Sequence, residues 1–516
     1  MKKYIINKLC ISFVLILTVL TYTACNDMLD QKPQGTATDT SGTFESKIFG
    51  LYGKARGWSI SSGTPVLAIQ GFRSEDAEKG SSADDGDNEA NYFDNFQYNK
   101  VGMIEGYWSA HFELIQNANS VIDDMKAVPV EEQNDRFVIN YAEAHFFRAF
   151  AFFNLVRAFG EVPLLNFKIN EGEEAKANIP KSSIADIYKQ IDDDLKIAEE
   201  GLPTSWEKKF IGRLTWGAAR ALHAKTYLTR NDWPNTYAAA MDVVSSGIYN
   251  LDTPFNQIFR ESGENSSESV LEFQCTAVAS ESDINKYGSQ FSQAQGVRGG
   301  GEWDLGWGWH TPTEILANAF EPNDPRKDET LLYFYKSQAE ADAPGAIANK
   351  PWGEKPIAYG TVIAKYFNKK AYTDPALRDK YASASRQGGW VNIRIIRFAD
   401  VVLMAAEAAN EMGGKTDEAL ELLERIRARA RGGDNTILPE VTTTDQAELR
   451  NAIRHERRIE LAMEFDRFYD LVRWGIAKDV LHAAGKTNYE DKHALLPIPQ
   501  LEIDKSNGVL VQNPNY

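Results

Sequence analysis

Helical spacing of apolar residues sets in shortly after residue 43 and returns along the whole chain. Its densest stretch runs from Tyr141 to Phe159, where Ala144, Ala151 and Ala158 recur every seven residues and Phe146, Phe150 and Phe153 follow an i, i+4, i+7 spacing. A helix apolar on nearly every side belongs in the centre of a fold. Its few polar members, Glu143, His145, Arg148 and Arg157, must then find partners inside, so they read as a satisfied core network and not as catalytic groups.

Two further stretches read as helical hairpins. Thr215 to Arg230 is rich in Ala and Leu, breaks at Asn231-Asp232-Trp233-Pro234, and resumes as Tyr237 to Ser245 before Gly247. Ala399 to Glu411 breaks at Gly413-Gly414, after which Thr416 is expected to cap a helix with Asp417 and Glu418 at its start and Arg425, Arg427, Arg429 and Arg431 at its end. Acids first and bases last complement the helix dipole. Each hairpin has roughly the 34-residue span of a tetratricopeptide unit, with Ala224 and Ala419 where paired helices would touch. The two are far apart in sequence, so the fold must pack them together; they cannot form a simple solenoid. A last helix starts near Asp445, with Glu448 placed to complete a capping box, and runs through Arg454, Glu456, Arg457, Arg458, Glu460 and Glu464. Interleaved Arg and Glu of this kind form a structural ion-pair lattice more readily than an active site.

The amino terminus changes the picture from fold to compartment. Lys2, Lys3 and Lys8 precede a run from Leu9 to Leu20 dominated by Leu, Ile, Val and Phe, and Thr21-Tyr22-Thr23-Ala24 leads into Cys25. Residues 1–24 therefore read as a secretory signal peptide, too short in its apolar run to cross a bilayer comfortably. A cysteine straight after the cut marks a bacterial lipoprotein, with Cys25 acylated and residues 25–43 forming a polar, turn-rich tether. The alternative is ordinary secretion with an incidental cysteine. Cys10 leaves with the signal, so only Cys275 is left after lipidation and no intrachain disulfide can form. The 492 residues left after removing 24 from 516 are enough to be held by a core alone. Cys275 ends the alternation Val270-Leu271-Glu272-Phe273-Gln274 and reads as a buried small hydrophobe.

Charge narrows the partners. Of 56 basic and 73 acidic residues, three lysines go with the signal, leaving 53 minus 73, or −20. Such acidity excludes nucleic acid and a basic patch for anionic lipid, so the acyl chains alone would hold the membrane. It suits a neutral or weakly charged ligand.

Several blocks resemble one family. Ala142-Glu143-Ala144-His145-Phe146-Phe147-Arg148-Ala149-Phe150 with Leu155-Val156-Arg157-Ala158-Phe159-Gly160-Glu161-Val162-Pro163-Leu164 is similar to the signature helix and exit turn of SusD/RagB proteins. Gly212-Arg213 to Trp233, Arg397 to Ala408, Glu456-Arg457-Arg458-Ile459-Glu460-Leu461 with Asp470-Leu471-Val472-Arg473-Trp474-Gly475, and Leu496-Pro497-Ile498-Pro499 with Gln512-Asn513-Pro514-Asn515-Tyr516 resemble its other blocks, in the same order. Phe465-Asp466 departs from the family's usual glycine-containing version, and Phe398 from its usual tyrosine. The resemblance implies an all-α fold, a single domain over residues 44–516 built round tetratricopeptide-like hairpins with long loops. It also implies a position on the outer face of the outer membrane, a SusC-like TonB-dependent transporter as partner, an oligosaccharide or polysaccharide ligand, and no cofactor. Peptide-binding RagB-like relatives keep a peptide ligand open.

The matching blocks are scaffold, so the ligand must be sought outside them. Sugars offer flat C–H faces and rings of hydroxyls, which call for aromatic platforms with planar donors and acceptors. Gly299-Gly300-Gly301-Glu302-Trp303-Asp304-Leu305-Gly306-Trp307-Gly308-Trp309-His310 places Trp303, Trp307 and Trp309 in a glycine-rich loop, and Trp307 and Trp309 would share a face if extended. They are expected to meet the ligand, unless the rings plug the loop onto the body. Arg73 and Asp76, with Tyr92 further on, form a second candidate, or else a solvated acidic loop. Calcium fits this segment poorly, since a loop starting at Asp85 has Ala90 where glycine is needed.

Enzyme signals are weak. His455-Glu456-Arg457-Arg458-Ile459 lacks a zincin's second histidine, Ala409 replaces the first glycine of a phosphate loop ending at Gly414-Lys415-Thr416, and no G-x-S-x-G elbow occurs. A glycosidase's paired carboxylates leave no linear motif, so hydrolysis stays open as the competing class.

Overall fold

The structure, a computed structural model, describes residues 44–81, 88–98, 102–278, 284–299, 304, 306–346, 358, 360, 362–373 and 388–516. The signal peptide, Cys25, the tether and Trp303 lie outside the described residues, as do residues 84–87 of the segment tested for calcium.

Helices dominate. The first, α1 (Phe44–Ala55), packs on α2 (Gly102–Lys126) and α3 (Asp135–Phe159). The apolar stretch seen in the sequence is the carboxy-terminal part of α3, which Asn134 caps by accepting from the Phe137 N–H at 3.0 Å. It ends at Gly160, whose φ of +72° a side chain would strain. Next come α4 (Ile184–Gly201), capped by Ser183, and α5 (Trp216–Thr229), capped by Thr215. The next helix, α6 (Trp233–Ser245), begins four residues earlier than the periodicity indicates, because Asp232 caps it and Pro234 sits in the first turn, where no intrahelical donor is lost.

The described residues between 246 and 397 lie outside the helical layer, and the chain rejoins it at residue 398. The chain then forms α7 (Phe398–Met412), α8 (Thr416–Arg431), α9 (Gln446–Glu460) and α10 (Arg467–Arg473). Neighbours pack in succession from α2 to α7, and α8 and α9 both lie against α7. The two hairpins thus abut through α6 and α7 across about 150 intervening residues. Ala224 and Ala419 are fully buried in this layer. Two further helix starts differ from expectation. Thr416 is the first residue inside α8 and caps nothing. Asp445 does cap α9, but the Glu448 carboxylate accepts from the Thr443 hydroxyl at 2.6 Å and leaves the capping box open.

Among the described residues the strands are short and form three antiparallel pairs: β1 (Ala77–Gly80) with β3 (Trp309–Pro312), β2 (Ser269–Phe273) with β6 (Ile393–Arg397), and β4 (Leu331–Tyr333) with β5 (Tyr366–Asn368). The β2–β6 pair closes the long insertion onto the helices. Cys275, just past β2, is half-buried, and burial pushes its thiol up to about 12.

The charged residues of the core are paired as the sequence requires. Glu143 accepts from Arg213 at 2.5 Å and from the Tyr52 hydroxyl at 2.6 Å. Asp194 takes His145 and Arg148, each at 2.6 Å. Around α9 the Arg/Glu alternation becomes a lattice: Arg457 bridges Asp400 and Asp470 at 2.5 and 2.8 Å, and Glu460 accepts from Arg429, Arg397 and Arg326 at 2.5, 3.0 and 3.2 Å. Against the opposing effect of burial, Arg429, Arg397 and Arg326 hold the Glu460 carboxyl well below the usual range, and Lys225 at 3.0 Å together with Arg457 does the same for Asp400. Among the described residues no helix is long and apolar enough to cross a membrane.

Candidate functional site

The Arg73–Asp76 segment lies inside the molecule. Arg73 is fully buried, its Nε donates to the Ile69 carbonyl at 2.6 Å, and its guanidinium lies over the Phe468 ring at 4.0 Å. Asp76 is 2% exposed and accepts from Arg458 Nε at 3.0 and 3.1 Å, while Glu75 accepts from Arg467 at 2.5 Å. These contacts correct the reading of Arg73 and Asp76 as ligand contacts. The Asp76 and Glu75 carboxylates tie the start of the chain to α9 and α10, and Arg73 packs on α10 through the Phe468 ring. Thr313 completes the tie by donating from its N–H to the Asp76 carbonyl at 3.0 Å. Tyr92, on the short helix Asn88–Asp94, is half-buried against the main core.

The same tie carries the tryptophan loop, because β1 pairs with β3 and sets Gly80 opposite Trp309. Trp309 is 6% exposed, edge-on to Phe72 at 6.3 Å, and belongs to the core. Its reading as a ligand platform is therefore corrected too. Trp307 is half-buried against the main core and meets Trp309 edge-on at 6.0 Å. The two rings do come together, though one backs the other and they do not form a shared open face.

The glycines of the loop serve close backbone approach. Gly306, Trp307 and Gly308 donate to the carbonyls of Val297, Gln293 and Gly296, each at 2.9 Å, which zips the loop onto the helical turn Phe291–Gln295. A Cβ on Gly306 would stand 2.4 Å from the Gln293 carbonyl oxygen. Beneath the loop His310 is buried, bonds Gln295 Oε1 at 2.7 Å and stacks on Phe465 at 5.0 Å; burial pushes its pKa down to about 3.

One ring on this side of the molecule was missed in the sequence reading. Trp58 is 38% exposed, and its Nε1–H donates to Gln290 Oε1 at 2.7 Å. Gln290 immediately precedes the turn that holds Trp307, so both tryptophans attach to one short element. The available signal was a tryptophan at the end of an amphipathic helix, set in Gly57-Trp58-Ser59-Ile60-Ser61-Ser62-Gly63.

Burial raises the Glu264 carboxyl to about 7, although Arg394 and the Asn392 N–H, donating at 2.8 Å, pull the other way. A cleft of about 800 Å³ between the end of α3 and the start of α4 is lined by Val156, Ile184, Tyr188, Tyr469 and Leu495. Two arginines in its wall are already paired, Arg230 with Asp192 at 2.8 Å and Arg473 with Glu407 at 2.7 Å. Among the described residues no group of His, Cys, Asp or Glu side chains is placed to hold a metal ion.

A stacked helical layer, interrupted once by a long insertion bearing an aromatic loop, defines a single-domain helical protein of the SusD-like class. Known proteins agree. A family model described as "SusD family" matches residues 267–516, and one described as "Starch-binding associating with outer membrane" matches residues 27–228. The chain belongs to the SusD/RagB family. SusD-like protein P2 of Formosa agariphila is 28% identical over 550 aligned residues, covering 100% of both chains. A SusD-like protein of Bacteroides ovatus is 26% identical over 489, covering 89% of this chain and 82% of its own. Among solved structures, a laminarin-binding SusD-like protein is 28% identical with a TM-score of 0.74, over 92% of this chain and 99% of that one. Surface glycan-binding protein A from Bacteroides thetaiotaomicron, in complex with laminarihexaose, shares the fold at 23% identity and a TM-score of 0.75, over 92% and 99%.

Proposed function

We propose that this protein is a cell-surface glycan-binding lipoprotein, held in the outer membrane by acyl chains on Cys25, facing outward. It captures an oligosaccharide or polysaccharide and passes it to a SusC-like TonB-dependent transporter without cutting it. The observation that carries this reading is the match, over nearly the full length of both chains, to a protein named for binding laminarin. The aromatic loop adds chemistry to it, since Trp307 is half-buried and carries a ring of the kind a sugar face stacks on. In this reading Trp307 and Trp303 contact the glycan, Trp309 braces Trp307, Tyr92 stands at the rim, and Arg73 and Asp76 hold the frame.

The test is a screen of the purified protein against soluble plant, algal and host polysaccharides beside a peptide-library pulldown. Binding to at least one glycan is expected, with Trp307→Ala weakening it by roughly ten- to a hundredfold, the scale of one buried aromatic. Trp307→Phe keeps a ring against Trp309 and controls for folding. The bound glycan should keep its chain length, and the transporter should co-purify from outer membranes. Peptide binding in place of glycan binding, or mutation-sensitive release of new reducing ends, would overturn the reading.

A further inference from the structure

Large exposed tryptophans on a soluble protein are usually mobile or covered by a partner; Trp58 is neither free to turn nor buried. Three features fix it. Its indole N–H is held by Gln290 Oε1 at 2.7 Å. Its ring edge rests on Gly63, where a Cβ would fall 2.2 Å from Cδ1, so the close approach needs a residue without a side chain. Its backbone opens a π-helical turn, Trp58–Ser62, in which the Gly57 carbonyl accepts from Ile60, Ser61 and Ser62 at 3.0, 3.1 and 3.4 Å. Widened turns of this kind are rare and cluster at functional sites. The residue is nonetheless 38% exposed. An aromatic held in one rotamer with an open face loses little conformational freedom when a ligand stacks on it.

Its position gives the open face a use. Gln290 holds Trp58 through its side chain, and Gln293, three residues on, holds the Trp307 backbone through its carbonyl at 2.9 Å. Gln290 is the residue before the turn Phe291–Gln295 and Gln293 lies within it, so one short element carries both anchors, with an axial rise of about 4.5 Å between the two residues. The Lys286 carbonyl, four residues before Gln290, accepts from Arg56, two residues before Trp58, at 2.7 Å and ties the two segments together a second time. A polar amide beside an aromatic ring suits hydroxyl-rich ligands better than purely apolar ones.

We propose that Trp58 is a second aromatic platform of the glycan site, so that the ligand is a saccharide chain running from Trp307 across Gln290 to Trp58 and not a single sugar. This inference rests on the glycan-binding reading and extends it to a contact residue and a minimum ligand size. Gln290 acts as a positioning residue for the ring.

The experiment titrates wild type, Trp58→Ala, Trp58→Phe, Gln290→Ala and Trp307→Ala calorimetrically with laminarin, laminarihexaose and whichever polysaccharides the screen returns, recording the melting temperature of each. Trp58→Ala should weaken binding of the long glycan about tenfold, equivalent to about 1.4 kcal/mol, with its melting temperature unchanged. Trp58→Phe should restore most of the affinity, and Gln290→Ala should lose less than Trp58→Ala because the ring is loosened and not removed. A wild type that binds no glycan overturns the proposed function, and this inference with it. A wild type that binds, a Trp307→Ala that weakens, and a Trp58→Ala within twofold of wild type overturn this inference alone. So does a Trp58→Ala loss that tracks a fall in melting temperature and is not rescued by phenylalanine.

Discussion

Substituting Asp76 separates frame from site most sharply, because the residue type suits a sugar while its surroundings do not. Asp76→Asn keeps the volume and one acceptor oxygen but removes the charge facing Arg458. Losing one partner of a buried ion pair costs about 3–5 kcal/mol. Two observations lower that figure here. The Arg458 side chain is 17% exposed and retains some water, and Glu75 Oε1 stays 3.3 Å from Arg458 Nη2. The expected loss is therefore about 2–3 kcal/mol, of the size seen when a buried charge loses a partner but keeps a substitute. Urea titration followed by far-ultraviolet circular dichroism reads it as a lower midpoint, with the slope compared between variants. Arg458→Met should cost a similar amount, and the double substitution less than the sum, with a coupling of about 2 kcal/mol. Glycan affinity of the folded Asp76→Asn protein should match wild type. An unchanged midpoint together with lost binding would show that Asp76 contacts ligand, and would refute the assignment to the frame.

Phe150, 5% exposed and edge-on to Phe273 at 5.6 Å, should cost about 3–5 kcal/mol of stability on truncation to alanine while the folded fraction binds glycan normally; titration of stability and affinity on one preparation checks both. Glu264 has a folded-state pKa raised from 4.5 to about 7 by burial, so its stabilising effect is whole below about pH 4.5 and is lost as pH rises through 7, a swing of about 3 kcal/mol. Glu264→Gln should flatten that fall between pH 5 and pH 8, and identical pH dependence in the two proteins would refute it. Cys25→Ala should release the protein from the outer membrane, since acyl chains are its proposed anchor; retention after a salt and carbonate wash would remove the lipoprotein reading.

Local pattern determined a great deal. The Tyr141–Phe159 stretch was legible as a central helix because its apolar residues leave no polar face, and the pairing of Glu143, His145 and Arg148 follows from burial alone. The ion-pair character of α9 was legible because alternating opposite charges at helical spacing have one inexpensive arrangement. Helix ends were less secure: whether Thr416 or Lys415 occupies the cap depends on backbone angles that many local sequences share.

What only the tertiary structure decided was which way particular side chains face. Arg73 and Asp76 have the composition of a polar rim, yet they are buried because α9 and α10, almost four hundred residues later, bring Phe468, Arg458 and Arg467 onto them. Glycines around Trp307 and Trp309 looked like exposure and are close backbone contact with Gln293 and Gly296, a distinction that exists only once the loop has something to lie against. Trp58 drew no reading from the sequence, because what holds its exposed ring is Gln290, more than two hundred residues away. Periodicity and charge pattern are properties of neighbours along the chain, so the sequence alone could determine helices and their partners in kind. Exposure belongs to whatever the fold sets across from a residue, and that is settled only when the distant segments meet.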